Sequence, residues 1–172
     1  CGLGDTMVYS VKPVPGISDY RWSAPSSLGE VILDSHDTST AKIKIIGTWY
    51  EISHPETYNG KLYRTKYSAT NKREFRFTAD LPYTARYRVD LHWMKYHSQS
   101  YDNSKIVPVR VIHKYGVTDM SIDMYNPSTG FHKIGYFYFD KGMKDTVIIL
   151  TTSADPTKWS VADAVRFTLD TM

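Results

Sequence analysis

The chain has 172 residues and a formal net charge of +3, with 21 Lys and Arg set against 18 Asp and Glu. Because these charges are mixed and form no basic run, they argue against nucleic acid as the main partner. No apolar run approaches the roughly 20 residues that a membrane-spanning helix needs. A chain of this length suits one domain with a core of its own.

Residues 1–29 carry many Gly and Pro residues and predict an N-terminal extension or linker ahead of a main domain at residues 30–172. One short strand is predicted at Met7–Val11. The stretch Val8–Trp22 resembles part of the PKD-like immunoglobulin modules of bacterial surface proteins, but it is too short for a whole module. The interpretation we favour is an extended segment that packs along the main domain.

Cys1 is the single cysteine, so no disulfide can form within the chain. It could be the lipid-bearing first residue of a mature bacterial lipoprotein, or it could mark a boundary at which a longer sequence was cut. The residues leave both explanations open.

From Glu30 onward, apolar and polar residues alternate with the period of two that is typical of half-buried strands. In Arg86–Trp93, for example, every second residue is apolar. Pro108 predicts an edge strand or a bulge. Ile134–Phe139 and Thr146–Thr151 are richer in apolar residues, which predicts strands covered on both sides. The full set of predicted strands is Val31–Asp34, Ala41–Ile46, Thr48–Ile52, Leu62–Ser68, Glu74–Phe77, Arg86–Trp93, Ile106–His113, Met120–Met124, Ile134–Phe139, Thr146–Thr151 and Val165–Leu169.

Turn signals such as Asn59-Gly60, Asn126-Pro127 and Lys141-Gly142 separate these strands, and no segment has a convincing amphipathic helical pattern. Many short strands at regular spacing predict an all-β fold, an antiparallel β-sandwich of jelly-roll type.

Five phrases, in the right order, resemble the golvesin / xanthan-lyase C-terminal-like domain, and together they cover residues 30–172. Phe131 stands where that family prefers Trp, and Ile134 stands where it prefers Leu, so both positions keep an apolar side chain. The five phrases are Val31–Asp37 with Ile46–Trp49, Tyr87–Trp93, Val107–His113, Phe131–Phe139 and Val161–Phe167.

This resemblance implies a carbohydrate-binding or adhesion module appended to a secreted or cell-surface bacterial protein, with a polysaccharide or cell-wall glycan as its partner. The family offers no catalytic residues to transfer to this chain, so we expect no enzyme. An alternative is a structural module that packs against a neighbouring catalytic domain. A glycan-active or peptidoglycan-active hydrolase or lyase is a third hypothesis, although the sequence has no Gly-x-Ser-x-Gly elbow and no His pair at metal-binding spacing.

Three residues are predicted to be structural. Trp49 and Trp93 occupy strand positions and are expected in the core. Asp163 is an acid among apolar neighbours, so we expect it to be buried with partners, either backbone N–H groups or an arginine such as Arg166 or Arg86.

A weak metal hypothesis concerns Asp34 and Asp37, which could contribute to a structural Ca²⁺ site beside the first strand. The alternative is that both carboxylates cap a turn. No other cofactor is expected.

Glycan recognition needs flat aromatic faces and planar polar groups, and several loops offer them. The candidates are Tyr96, His97, Tyr101, Asn103, Tyr125, Asn126, Tyr63 and Trp159. The alternative is that the loop residues are ordinary solvated hairpin tips. The strand-edge position of Trp159 favours the core over a binding surface, so its exposure decides its role.

Overall fold

A computed structural model describes residues 29–68, 70–95, 102–151 and 157–170. The predictions for Cys1, the Met7–Val11 strand and the Val8–Trp22 stretch lie outside the described residues.

The described residues form twelve strands and one short 3-10 turn at Tyr58–Gly60. None of these residues forms a helix long and apolar enough to cross a membrane. The strands are β1 Glu30–Asp34, β2 Ile43–Ile46, β3 Tyr50–Ser53, β4 Lys61–Lys66, β5 Glu74–Phe77, β6 Ala85–Trp93, β7 Val107–His113, β8 Gly116–Ile122, β9 Gly130–Phe139, β10 Thr146–Leu150, β11 Trp159–Ala162 and β12 Ala164–Leu169.

These strands make three antiparallel sheets in the described part of the chain. A four-stranded sheet has the order β1-β12-β6-β9, and a five-stranded sheet has the order β2-β5-β10-β7-β8. A small sheet of order β11-β4-β3 completes the fold. The predicted all-β antiparallel sandwich of jelly-roll type is confirmed.

The core forms where the apolar faces of the sheets meet. Trp93 is 1% exposed and belongs to the buried cluster, which also takes in Phe75, Phe139 and Phe167. Trp49 is partly buried against this cluster and meets the Phe75 ring edge-on at 5.3 Å. Trp93 therefore lies where the period-two pattern places it, and Trp49 packs on the core from the loop before β3.

The strand predictions differ from the structure at β7, at β11 and at β8, which begins at Gly116 and not at Met120. Strand β11 was missed because its four residues, Trp159–Ala162, are too short a run to indicate a strand. Pro108 was expected at an edge or a bulge, but β7 lies between β10 and β8. Pro108 is tolerated there because the pairing of β7 with β10 reaches only to Val109, the residue that follows the proline, and does not include Pro108.

Strand β9 contains a β-bulge that changes which side chains face outward. Lys133 pairs with Asp90 and Gly135 pairs with Val89, so Ile134 is the extra residue. A single extra residue reverses the alternation. Tyr136 and Tyr138 therefore point away from the core, and the prediction that Ile134–Phe139 is covered on both sides is wrong.

Candidate functional site

The most open aromatic site lies on the small sheet, where β3, β4 and β11 meet. Trp159 pairs with Lys66, and Tyr50 pairs with Arg64, so these four side chains share one face. They line a groove of about 750 Å³ together with Tyr67. The Tyr50 side chain is 52% exposed and meets the partly exposed Trp159 ring edge-on, with 6.2 Å between ring centroids.

Cations surround the indole ring of Trp159. The Arg64 guanidinium lies 4.3 Å from the ring centroid and the Lys66 ammonium lies 4.9 Å from it. Arg73 also lines the groove, and its guanidinium donates to the Lys66 carbonyl at 2.9 Å. Such contacts stabilise an aromatic ring and place positive charge beside it.

Glu51 is the single carboxylate among the groove's lining residues. Its oxygens bind the Lys61 ammonium at 2.7 Å and the His36 ring at 3.2 Å. The hydrogen bond from Lys61 is the main reason why the pKa of Glu51 lies below its usual range. Because neighbouring residues of a strand point to opposite faces, Glu51 faces away from Tyr50 and the groove face keeps its positive charge.

A smaller pocket of about 390 Å³ lies beside the groove, where the chain segment at residues 102–106 meets β11. The Ser104 N–H donates to the Trp159 carbonyl at 2.8 Å, and the Trp159 N–H donates to the Asp102 carbonyl at 3.0 Å. Tyr125 lines this pocket, with the Lys105 ammonium 4.8 Å from its ring centroid. The structure therefore brings Trp159, Asn103 and Tyr125, three of the predicted binding residues, to one edge of the sandwich.

The two predicted amide ligands have their amide nitrogens occupied. Asn103 is 2% exposed, and its amide donates to the carbonyls of Met94 at 2.8 Å and Met124 at 3.1 Å. The Asn126 amide donates to the Asp123 carboxylate within one turn. These bonds hold the loops in place. The Asn103 nitrogen donates both of its hydrogens within the protein, and the Asn126 nitrogen donates one of its two.

Tyr63 lies away from the groove, although it is in the same strand as Arg64. Its ring stacks on the His36 ring with centroids 4.6 Å apart and contacts Phe75 at 5.4 Å. Strand alternation explains this, because Tyr63 and Arg64 must face opposite sides of β4. Tyr96, His97 and Tyr101 lie outside the described residues.

Asp163 lies at the junction of β11 and β12 and is 1% exposed. One carboxylate oxygen contacts His92 Nδ1 at 2.7 Å, and the Tyr58 N–H donates to the carboxylate at 3.1 Å. The Asp163 carbonyl accepts the Ser35 N–H. Burial raises the pKa of this carboxyl, and the hydrogen bond to His92 opposes that rise.

The expected backbone partner of Asp163 is present, but the expected arginine partners are not. The Arg166 guanidinium lies 3.3 Å from the Asp90 carboxylate, and the Arg86 guanidinium lies 3.1 Å from the Asp170 carboxylate. Both guanidinium groups pair with other carboxylates, so of the two predicted alternatives the backbone N–H partner is the one that the structure has.

Asp34 and Asp37 bind within their turn. Asp34 Oδ1 accepts the His36 N–H at 2.9 Å, and Asp37 Oδ1 accepts the Ser39 N–H at 3.0 Å. These are turn-capping bonds. Within the described ranges, no group of three or more His, Cys, Asp or Glu side chains is arranged to hold a metal ion.

Sequence reasoning missed Tyr50, Arg64 and Lys66, which form much of the groove. The sequence signal that could have found them is the alternation of side chains between the two faces of β4. If Leu62 is buried, then Arg64 and Lys66 share its face of β4, and the pairing with β3 and β11 decides the rest. Without β11 in the strand list, Trp159 had no partner strand and the face could not be assembled.

Comparison with known proteins relates this fold to a known domain family. The model of the Golvesin C-terminal domain matches residues 31–169. A comparison with curated proteins found no match.

Among solved structures, the chain is similar to part of Paenibacillus xanthan lyase, with 22% identity and a TM-score of 0.72 over 83% of this chain and 13% of that one. It is also similar to a family 35 carbohydrate-binding module from Clostridium thermocellum, with 10% identity and a TM-score of 0.54 over 80% of this chain and 98% of the module. The chain therefore spans about an eighth of the lyase and nearly the whole of the binding module.

The identities are too low to show more than a shared fold. The match of the family model covers most of the chain, however, and it confirms the family that the five sequence phrases indicated. The chain belongs to the Golvesin C-terminal domain family.

Proposed function

We propose that this domain is a non-catalytic glycan-binding module of a secreted or cell-surface protein, and that the Trp159 groove holds its ligand. The observation that carries the proposal is an open groove in which Trp159 and the half-exposed Tyr50 stand together among cations. Aromatic rings bind the C–H faces of sugars, and neighbouring charged groups select among them. The likeness in fold to a carbohydrate-binding module supports the same proposal.

The charges of the groove favour an acidic glycan. Arg64, Lys66 and Arg73 line it, and Glu51 is held by Lys61 and His36 on the other face of β3. An arginine binds a carboxylate with two parallel hydrogen bonds, and a lysine binds it as a point charge. A chain of carboxylated sugars would meet both the rings and the cations.

The same residues argue against a glycosidase. Enzymes of that class use two carboxyl groups, roughly 5 to 10 Å apart, on either side of the scissile bond. The described residues of the groove provide one carboxylate, and it is already bound. The proposal of a binding module therefore takes precedence over that of a glycoside hydrolase.

Affinity electrophoresis through gels that contain polygalacturonate or a neutral galactan tests this proposal. We expect the acidic polymer to retard the wild-type domain and Trp159→Ala to weaken that retention about tenfold, or about 1.4 kcal/mol. Lys66→Gln should weaken retention on the acidic polymer alone. Tyr83→Ala is the matched control, because Tyr83 is an exposed tyrosine (48%) outside the groove.

Equal retention of Trp159→Ala and wild type would remove the groove from the proposal. If no polysaccharide retains the wild-type domain, the alternative of a module that packs against a neighbouring protein domain replaces glycan binding.

A further inference from the structure

A second aromatic surface lies on the outer face of the four-stranded sheet, and the groove has no part in it. Tyr136 and Tyr138 of β9 are 43% and 44% exposed, and Tyr115 in the β7–β8 turn is 71% exposed. The rings of Tyr115 and Tyr138 are 5.4 Å apart. We call these three side chains the tyrosine row.

The backbone holds the row in place. The Lys114 N–H donates to the Tyr138 carbonyl at 2.8 Å, which ties the β7–β8 turn to the edge of β9. Residues two apart on a strand are separated by about 6.6 Å, so Tyr136 and Tyr138 follow each other along β9, and the Tyr115 ring lies beside Tyr138 at the edge of the strand. This is a flat track along the strand, whereas the Trp159 groove is concave.

The bulge in β9 is what turns these tyrosines outward. Ile134 is the extra residue, and Gly135 follows it. A Cβ atom on Gly135 would lie 2.7 Å from the Phe137 ring, so a larger residue there would displace that ring from its place in the core. Phe137 and Phe139 then enter the core, while the tyrosines between and before them face solvent. Scattered exposed apolar side chains are ordinary, but three adjacent rings on one rigid strand and its neighbouring turn form a contiguous patch.

Cations border the tyrosine row. The Arg86 guanidinium lies 4.7 Å from the Tyr136 ring centroid, and the Lys133 ammonium lies 5.3 Å from it. Two carboxylates of this face lie beneath the surface, since the Asp90 side chain is fully buried and the Asp170 side chain is 12% exposed. A third, Asp140, is 32% exposed, and the Lys114 ammonium lies 3.4 Å from it. The Arg86 and Lys133 cations beside Tyr136 give the row its positive charge, which complements a polymer of carboxylated sugars.

We propose that the tyrosine row is a second glycan-binding site, and that it takes the backbone of an acidic polysaccharide lying along β9. A flat track contacts the middle of a long chain because it has no wall to enclose a chain end. Arg86 beside the row lies near the start of β6, and Met94, which lines a small cavity with Arg64, directly follows its end. At about 3.3 Å per residue the two positions are roughly 26 Å apart, so the two sites bind separate stretches of polymer. Two weak sites on one rigid domain retain a long polymer far better than either site alone.

The test compares a long acidic polymer with its short oligomers. We expect the double variant Tyr136→Ala/Tyr138→Ala to lose at least tenfold in retention on polygalacturonate gels. Its affinity for a galacturonate trimer, measured by calorimetry, should stay unchanged because the groove holds the trimer. The double variant Tyr136→Phe/Tyr138→Phe keeps the rings and should keep most of the retention.

Tyr83→Ala controls for the loss of any exposed tyrosine, and urea midpoints establish that each variant is folded. If the folded double alanine variant is retained as well as wild type, the tyrosine row is not a binding site. The same conclusion follows if Tyr83→Ala loses as much retention as the double alanine variant. If Trp159→Ala is retained normally but the double alanine variant is not, the tyrosine row binds the polymer and the groove does not. If both variants lose retention, and a triple variant loses more than either, both sites bind it.

Discussion

Asp163 and Trp159 lie four residues apart in the chain, and both the Asp163 cluster and the Trp159 groove combine aromatic rings with charged side chains. The cluster is nevertheless closed to solvent, whereas the groove is open. In the cluster, the His92 ring packs against the rings of Tyr58 and Phe131, with centroids 5.9 and 4.9 Å away. Its side chain is 10% exposed. In the groove, aromatic rings and cations border an open volume of about 750 Å³.

The comparison teaches that composition alone does not identify a site. A histidine held by a buried aspartate is the arrangement that orients a catalytic base. Here the same pair joins β12 to the turn before β4 and to β6. The residue types of the groove are no more distinctive, but its rings and cations are accessible, and accessibility is what a ligand needs.

Truncation of Asp163 gives the largest effect we expect. Asp163→Ala would leave the Tyr58 N–H and the His92 ring without their buried acceptor, which should lower the free energy of unfolding by about 3 kcal/mol. Asp163→Asn keeps one acceptor oxygen and should cost less. Urea denaturation of both variants measures this, and a loss under about 1 kcal/mol in the alanine variant would contradict a structural role.

The pH dependence of stability sharpens the same point with a smaller effect. Burial raises the pKa of Asp163, so the folded state holds this proton more tightly than the unfolded chain does. The stability that this group contributes is therefore fully present below its unfolded pKa, and it is lost as the pH rises through the folded pKa.

We accordingly expect wild type to gain stability relative to Asp163→Asn as the pH falls from 7 toward 4. Urea midpoints at several pH values measure the difference. His92 is the other titratable group in contact, so the series is repeated in a His92→Gln background to separate the two. A difference that is flat with pH in that background would show that burial does not destabilise the charged carboxylate.

The sequence predicted the sandwich and its closed parts far better than its open ones. Trp93 and Asp163 were predicted correctly as buried because burial follows from strand alternation and from the cost of an acid among apolar residues. The position of Tyr63 on the other face of β4 from the groove was not predictable, because it depends on the register of β4, which the sequence does not specify. The tyrosine row was missed because one extra residue in β9, Ile134, reverses the alternation.

Open sites also depend on which strands become neighbours. The groove needs Tyr50, Arg64 and Trp159 from three strands, with pairings of Arg64 to Tyr50 and of Lys66 to Trp159. The spacing of these residues along the chain does not indicate which of them pair. A single sequence therefore indicates that aromatic residues are plentiful, but not which of them share a surface.

The smallest expected effect on stability belongs to Tyr50, and it tests the contrast most directly. With 52% of the side chain exposed, Tyr50→Ala removes little buried surface and should change the free energy of unfolding by less than about 1 kcal/mol. Retention on an acidic polysaccharide gel should nevertheless fall several-fold, because the Tyr50 ring is one of the two aromatic faces of the groove. If Tyr50→Ala instead loses much stability but is retained as well as wild type, Tyr50 supports Trp159 and does not contact the ligand. Tyr50→Phe separates these roles further, since it preserves the ring and should preserve both stability and retention.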